Sequence, residues 1–231
     1  MAYICILIPI KMIAKRVLLA FFISLPFIFQ SCDTKQNYDA LQDGDLLFIV
    51  GKSQSEQTNA IKKSTSKLDE IPFSHVGIVK FEDENVYVIE ATPSDGIIQT
   101  LLYEYMQKAE KRNGKPLVAV GRVKPEYQYL VPLAVEKAGD QLGRPYDYAY
   151  EEGNDAYYCS ELVRFAYLDS LRNPIFPAIA MTFKNRETGE TEAYWTKHFA
   201  GLQQEIPEGK PGTNPADMAK SPVIDIVHTY Y

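Results

Sequence analysis

The chain has 231 residues, 46% of them hydrophobic, with 24 basic against 30 acidic side chains and a formal charge of −6. That balance argues against a polyanion such as nucleic acid as partner. The length suits one full hydrophobic core, and no internal repeat or long linker divides it.

Lys11, Lys15 and Arg16 precede an apolar run, VLLAFFISLPFIF, at residues 17–29, and Ser31-Cys32 follows. A basic region, a short apolar core and a small residue before cysteine resemble a bacterial lipoprotein signal. Residues 1–31 are therefore expected to be removed, with Cys32 taking the lipid anchor and 32–40 forming a polar tether. Translation could also start at Met12, from which the segment reads as a complete short signal. The expected product is exported and held by lipid at a bacterial membrane, on the periplasmic or surface side. Loss of Lys11, Lys15 and Arg16 would take the formal charge from −6 to −9.

The domain is expected over 41–231. The apolar run at 46–50, entered through Asp43-Gly44-Asp45, reads as a buried strand. The polar stretch 51–70 reads as a loop with a helical turn. Two β-rich runs, 76–81 and 86–91, flank Glu82-Asp83-Glu84-Asn85 and predict a hairpin. Helices are expected over 101–111 and 130–142, with a strand at 117–123 between them. The clearest helix is 159–168, where Leu162, Val163, Ala166 and Tyr167 continue the stripe begun at Cys159. A short helix over 192–199 and a wrapping loop over 203–222 complete an α+β fold with a mainly antiparallel sheet.

With Cys5 in the removable segment and Cys32 at the anchor, Cys159 has no disulfide partner. A free thiol in an oxidising compartment is either buried or chemically employed. At a helix N-terminus it would feel unpaired N–H groups and the positive end of the dipole, which favour thiolate and can also hold an oxyanion. Asn154 or Asp155 could cap or start the preceding turn. His75 opens a strand run, with Gly77 leaving room beside it. Glu90 ends the partner run. A hairpin centred between Glu82 and Asp83 sets His75 opposite Glu90, where the carboxylate could fix the imidazole tautomer. Together these residues make a thiol nucleophile with an oriented base. A zinc site would need three or four ligands, and the cysteine is not grouped with a spaced histidine; no metal and no cofactor are expected.

Four stretches carry a resemblance: Asp43-Gly44-Asp45-Leu46-Leu47, Ser74-His75-Val76-Gly77-Ile78-Val79, Gly143-Arg144-Pro145-Tyr146-Asp147 and Tyr158-Cys159-Ser160-Glu161-Leu162-Val163. In this order the chain resembles the circularly permuted papain-like amidases, the YiiX-like relatives of NlpC-type cell-wall peptidases, over residues 41–185. The resemblance implies a permuted papain-like fold, with Cys159 as nucleophile, His75 as base and Glu90 as its orienter. It also implies cleavage of an amide bond through a thioester, in a cell-wall peptide or similar small amide. Thiol acyl transfer or lipid-ester cleavage is the alternative chemistry, and a noncatalytic binding lipoprotein the alternative class. Tyr146, Tyr158 and Ser160 are candidates for the oxyanion or substrate site; Asp45, Asp147 and Glu161 are candidates to bind a substrate amine. The tyrosines crowded between Tyr146 and Tyr167 are candidates for a cleft rim. The chain is expected to work as a monomer.

Overall fold

The structure is a computed structural model that describes residues 38, 40–52 and 55–231. The expected signal, its start codon, Cys5 and the anchor Cys32 lie outside the described residues. Among those described, six strands form one antiparallel sheet: β1 Leu46–Ile49, β2 His75–Glu82, β3 Asn85–Thr92, β4 Gly96–Leu101, β5 Val118–Val123 and β6 Ile224–Thr229. Their order across the sheet is β6-β5-β1-β2-β3-β4. The helices are α1 Glu56–Ser64, α2 Leu102–Gln107, α3 Val131–Gly139, α4 Cys159–Ala166, α5 Ala193–Leu202 and the one-turn α6 Pro215–Met218.

The sheet is covered on both faces, which explains why β1 reads as an unbroken apolar run. Leu46 and Phe48 join one buried cluster with Val76, Ile78, Ile89, Leu162, Val163 and Tyr167. Leu47 and Ile49 join another with Val79, Val88, Leu102, Tyr105 and Met106. Strand alternation thus sends one side of β1 toward α3 and α4 and the other toward α2. The expected α+β class with an antiparallel sheet packed on helices is borne out.

Three expectations need correction. The stretch 51–70 holds a real helix, α1, whose N-cap Ser55 accepts the Thr58 N–H at 2.9 Å. The helices expected over 101–111 and 130–142 are shorter. The first is only α2, followed by a small hairpin in which Lys111–Arg112 pair with Lys115–Pro116; the second is only α3, with a separate 3-10 turn over Pro125–Leu130 before it. Strands β4 and β6 were not expected, although both follow turn residues. In the tail, Pro211–Gly212 pair with Ile179–Ala180 and α6 follows, so the wrapping loop is ordered.

The hairpin register also differs. Glu82 pairs with Asn85 and Val79 with Val88, so the loop is only Asp83-Glu84, with Asp83 at φ 53°. This is a two-residue shift from the expected pairing. A shift of two preserves which face each side chain occupies, where a shift of one would have inverted it. Continuing this register sets Glu90 opposite Gly77 and leaves His75 diagonal to it.

Two glycines matter to this geometry. A Cβ on Gly77 would lie 2.4 Å from Val88 Cγ1 and 3.3 Å from the Glu90 Cβ, so its bare backbone lets β3 close on β2. Gly96, at φ 70°, turns the chain into β4, and a Cβ there would lie 2.2 Å from the Arg144 carbonyl oxygen. The obstacle is backbone, which cannot swing aside. Gly96→Ala is expected to destabilise the fold by about 2 kcal/mol or more, through left-handed strain and the clash together. A urea unfolding midpoint equal to wild type would contradict this.

Candidate active site

Cys159 is the first residue of α4, with Tyr158 as N-cap in extended conformation (φ −88°, ψ 168°). The cap is completed from within the helix: the Tyr158 N–H donates to Glu161 Oε2 at 3.3 Å. Asn154 and Asp155 do not cap α4, but Asn154 does start the preceding turn: its Oδ1 accepts the Ala156 N–H at 3.1 Å while its amide donates to Asp147, and Asp155 pairs with Arg144. The amphipathic stripe buries Leu162, Val163 and Ala166 against the sheet and so fixes the direction of the helix. Its N–H groups in the first turn, at Cys159 and Ser160, have no intrahelical acceptor by helix geometry.

His75 opens β2, and its Nε2 lies 2.7 Å from Glu90 Oε2. The diagonal placement is too long for short side chains but within reach of these two. Glu90 is fully buried. Its other oxygen, Oε1, accepts from the Thr100 hydroxyl and from Lys108 Nζ. The ring of Tyr105 lies alongside His75, centroid to centroid 5.7 Å, with its hydroxyl donated to the Leu47 carbonyl at 2.7 Å. His75 and Glu90 project on the α2 side, whereas Cys159 arrives with α4 from the other; thiol and imidazole line the same cleft at the end of β2, near enough for the sulfur to act on the charge of the ring.

The electrostatics follow from these contacts. Burial works against charge on His75, but the Glu90 carboxylate, which accepts from the ring, and the neighbouring Cys159 sulfur outweigh it, and the imidazole is pushed up to about 9. Glu90 is likewise opposed by burial, yet His75 and Lys108 bring it down to about 2. With Nε2–H given to the carboxylate, Nδ1 is the ring nitrogen left for the thiol.

Cys159 and Tyr146 stand where two cavities meet. The open one, about 730 Å³, is lined by Lys52, Gln57, Asp95, Glu104 and Lys108 among others, with His75 and Glu90 in its floor. The smaller one, about 60 Å³, lies behind Cys159 among Tyr150, Tyr158, Met181, Phe183 and Trp195.

The profile of the family described as "Permuted papain-like amidase enzyme, YaeF/YiiX, C92 family" matches residues 40–228. The chain belongs to this family of permuted papain-like amidases. It is 31% identical over 132 residues to "Uncharacterized protein YiiX" of Escherichia coli (strain K12), a match covering 56% of this chain and 59% of that relative's length. It is similar in fold to the crystal structure of metalloprotein yiiX from Escherichia coli O157:H7, with a TM-score of 0.66 and 23% identity over 82% of this chain and 98% of that one.

The remaining candidates divide by position. Tyr146 borders both cavities, its hydroxyl 3.5 Å from Gln57 Nε2 and from the Tyr150 hydroxyl, which leaves it weakly held and facing the site. The Tyr158 hydroxyl is taken by the Thr213 N–H at 3.0 Å, and the Ser160 hydroxyl by Thr213 Oγ1 at 3.0 Å. Most of the dense tyrosines are packing: Tyr150, Tyr158 and Tyr167 are buried, while Tyr148 is half-exposed.

The three acids expected to bind a substrate amine are otherwise engaged, and none lines the open cleft. Asp147 accepts the N–H groups of Ala149 and Glu151 and the Asn154 amide, and so organises the loop leading to α4. Glu161 is buried with one oxygen unpartnered. Burial and the nearby charge of Asp147 push it up to about 8. Asp45 takes Arg122 in a two-pronged pair, 2.7 Å on each prong, and accepts the Gln42 N–H at 2.8 Å. Their placement has one cause: residues can stand beside a motif in the chain without sharing its cleft. Asp45→Asn is expected to lower stability by roughly 2–3 kcal/mol, because Arg122 is only partly open to solvent and loses its partner. Turnover of the folded fraction should not change; a raised KM with intact stability would restore the substrate role.

Residues absent from the sequence reading are Thr100, Lys108 and Gln57. Thr100 could have been found from the alternation of β4 had that strand been recognised. Nothing local marks Lys108, which follows α2 and reaches Glu90 only through tertiary packing.

Proposed function

We propose that this chain hydrolyses an amide bond by Cys159–His75–Glu90 covalent catalysis, and that the substrate is a small polar peptide or amide such as a cell-wall peptide. The observation that carries this reading is the linked series of thiol, imidazole and carboxylate, with the carboxylate itself held from behind. His75 Nδ1 takes the thiol proton and the sulfur attacks the carbonyl carbon. The first-turn N–H groups of α4 face the developing oxyanion, with the Tyr146 hydroxyl beside them. The tetrahedral intermediate expels the amine, which takes the proton from His75, and leaves a thioester. Water then attacks the thioester with His75 again as base, releasing the acid and the thiol.

The charged and amide side chains of the open cleft suit a polar ligand. The aromatic pocket behind Cys159 favours the second reading, transfer or cleavage of an apolar acyl group. A metal-centred reading fits the donor set poorly: among the described residues no three His, Cys, Asp or Glu side chains are gathered as metal ligands, and both Glu90 oxygens face hydrogen-bond donors. Export as a lipoprotein anchored at Cys32 rests on the sequence of residues 11–32 alone, and loss of radiolabelled palmitate on Cys32→Ala would test it.

Iodoacetamide should modify the Cys159 peptide, with parallel loss of turnover. Mass spectrometry of peptidoglycan fragments incubated with wild type and Cys159→Ala would identify the bond. Cleavage that survives both alkylation and Cys159→Ala would overturn the reading. Ester products with intact peptides would move it to the acyl alternative.

A further inference from the structure

Glu90 presents a problem that the three-residue mechanism does not solve. It is fully buried, and a buried carboxylate without a cation takes up a proton. While His75 is charged, the pair satisfies itself. Once His75 has given its proton to the leaving amine, the imidazole is neutral. A protonated Glu90 would then donate to the ring rather than accept from it. The tautomer would invert, a proton would sit on the nitrogen facing the sulfur, and the base for the water step would be lost.

We infer that Lys108 is a positioning residue that holds Glu90 as an anion through the part of the cycle in which His75 carries no charge. This rests on the Cys159–His75–Glu90 reading and extends it. The groups around Glu90 come from each packed element: His75 from β2, Thr100 from β4, Tyr105 from α2, and Lys108 just beyond α2. Cys159, from α4, acts on His75. Glu104 and Asp95 line the same cleft and add only like charge; Lys52 lines it too, but the ammonium that reaches Glu90 is that of Lys108. Thr100 and Tyr105 are neutral, so among the described residues that contact Glu90, Lys108 is the cation that remains once His75 is neutral. It takes Oε1 and leaves Oε2 for the imidazole, which sets orientation as well as charge.

The placement suits a cation that keeps its contact with water. The Lys108 side chain is 39% exposed against 0% for Glu90, so its ammonium stays hydrated while reaching a dry carboxylate. Its backbone is fixed on both sides, donating to the Tyr105 carbonyl at 3.0 Å and accepting the Lys52 N–H at 3.2 Å. Its ammonium also stands 5.8 Å from the Tyr105 ring centroid.

The test isolates the neutral-base half of the cycle. In the full-length chain with ¹³C-carboxyl glutamate, His75→Gln supplies an uncharged neighbour, and Glu90 is assigned by difference with Glu90→Gln. Glu90 should titrate well below neutrality in H75Q. In H75Q/K108M its midpoint should rise by about two pH units or more, the scale that burial imposes on an unpaired carboxyl; H75Q/K108R should restore it. A K108M midpoint within about half a unit of H75Q would overturn the proposal. With His75 intact, K108M should lower kcat with little change in KM and move the acid limb of the pH profile upward, and K108R should recover both. A K108M profile superimposable on wild type would equally overturn it. Amide backbone spectra of each variant exclude misfolding as the cause. Because the titration needs no turnover, failure of the thiol mechanism shows itself separately, as activity persisting in Cys159→Ala.

Discussion

Cys159→Ala is expected to reduce kcat/KM for amide hydrolysis by roughly six orders of magnitude, as removal of a covalent nucleophile does when the partner base has no other target. The loss should be one of chemistry and not of folding. Cys159 is 6% exposed and contributes a small side chain to the core, so truncation to alanine removes one sulfur from a position already next to a cavity. A change of about 1 kcal/mol in stability is the scale to expect. Substrate binding should persist, because the cleft wall of Lys52, Gln57, Asp95 and Glu104 is untouched. The variant is therefore suited to trapping the complex. Cys159→Ser tests a different point. The hydroxyl is a poorer nucleophile than the thiol, and an imidazole held in its charged form to about pH 9 is a weak base toward it. Serine should recover only a small fraction of activity. A serine enzyme within tenfold of wild type would mean that the imidazole is not held in its charged form in the resting enzyme, and that the effect of the Cys159 sulfur on it is incidental.

How much of this was legible depends on the range of the interaction. The stripe Cys159, Leu162, Val163, Ala166 and Tyr167 is a local pattern and identified α4 and its N-terminus. The run Leu46-Leu47-Phe48-Ile49 announced a strand, and its lack of alternation follows from burial on both faces. The α1 stretch, rich in polar and lysine residues, hid a helix because its cap at Ser55 is a stronger signal than its weak apolar face. Strand β6 was readable in principle from Ile224-Asp225-Ile226, whose side chains alternate between buried or half-buried and exposed. The His75–Glu90 pair was reached through the wrong register. The error was even, so the side chains kept their face, and their length covered the extra distance. The hold on Glu90 was beyond sequence reasoning, because Thr100 and Lys108 meet it through a third strand and a helix end that no local pattern relates to it.

Glu90→Gln should lower kcat by about four orders of magnitude, the loss seen when an orienting carboxylate becomes an amide and the histidine adopts the wrong tautomer. The structure shows why neither amide orientation rescues it. If the NH2 group replaces Oε2, it meets the Nε2–H of His75. If it replaces Oε1, it meets the ammonium of Lys108 and the Thr100 hydroxyl. The same variant should also alter stability against pH, with signs set by the two shifts. Glu90 sits at about 2 in place of 4.5, so its contribution is complete above pH 4.5 and lost as pH falls through about 2. His75 sits at about 9 in place of 6.5, so its contribution is complete below pH 6.5 and lost as pH rises through about 9. Glu161 acts against the plateau between them. Its carboxyl, raised from 4.5 to about 8, makes stability decline as pH rises across that window. In Glu90→Gln the acid decline specific to Glu90 should vanish. The alkaline decline should begin at lower pH, since His75 loses one of the two partners that raise it. The Glu161 slope should remain. Urea midpoints from pH 2 to 10, together with the ring-proton titration of His75, would resolve these contributions. An unchanged His75 titration in Glu90→Gln would mean that Cys159 alone sets the imidazole charge and that Glu90 serves only to aim the ring.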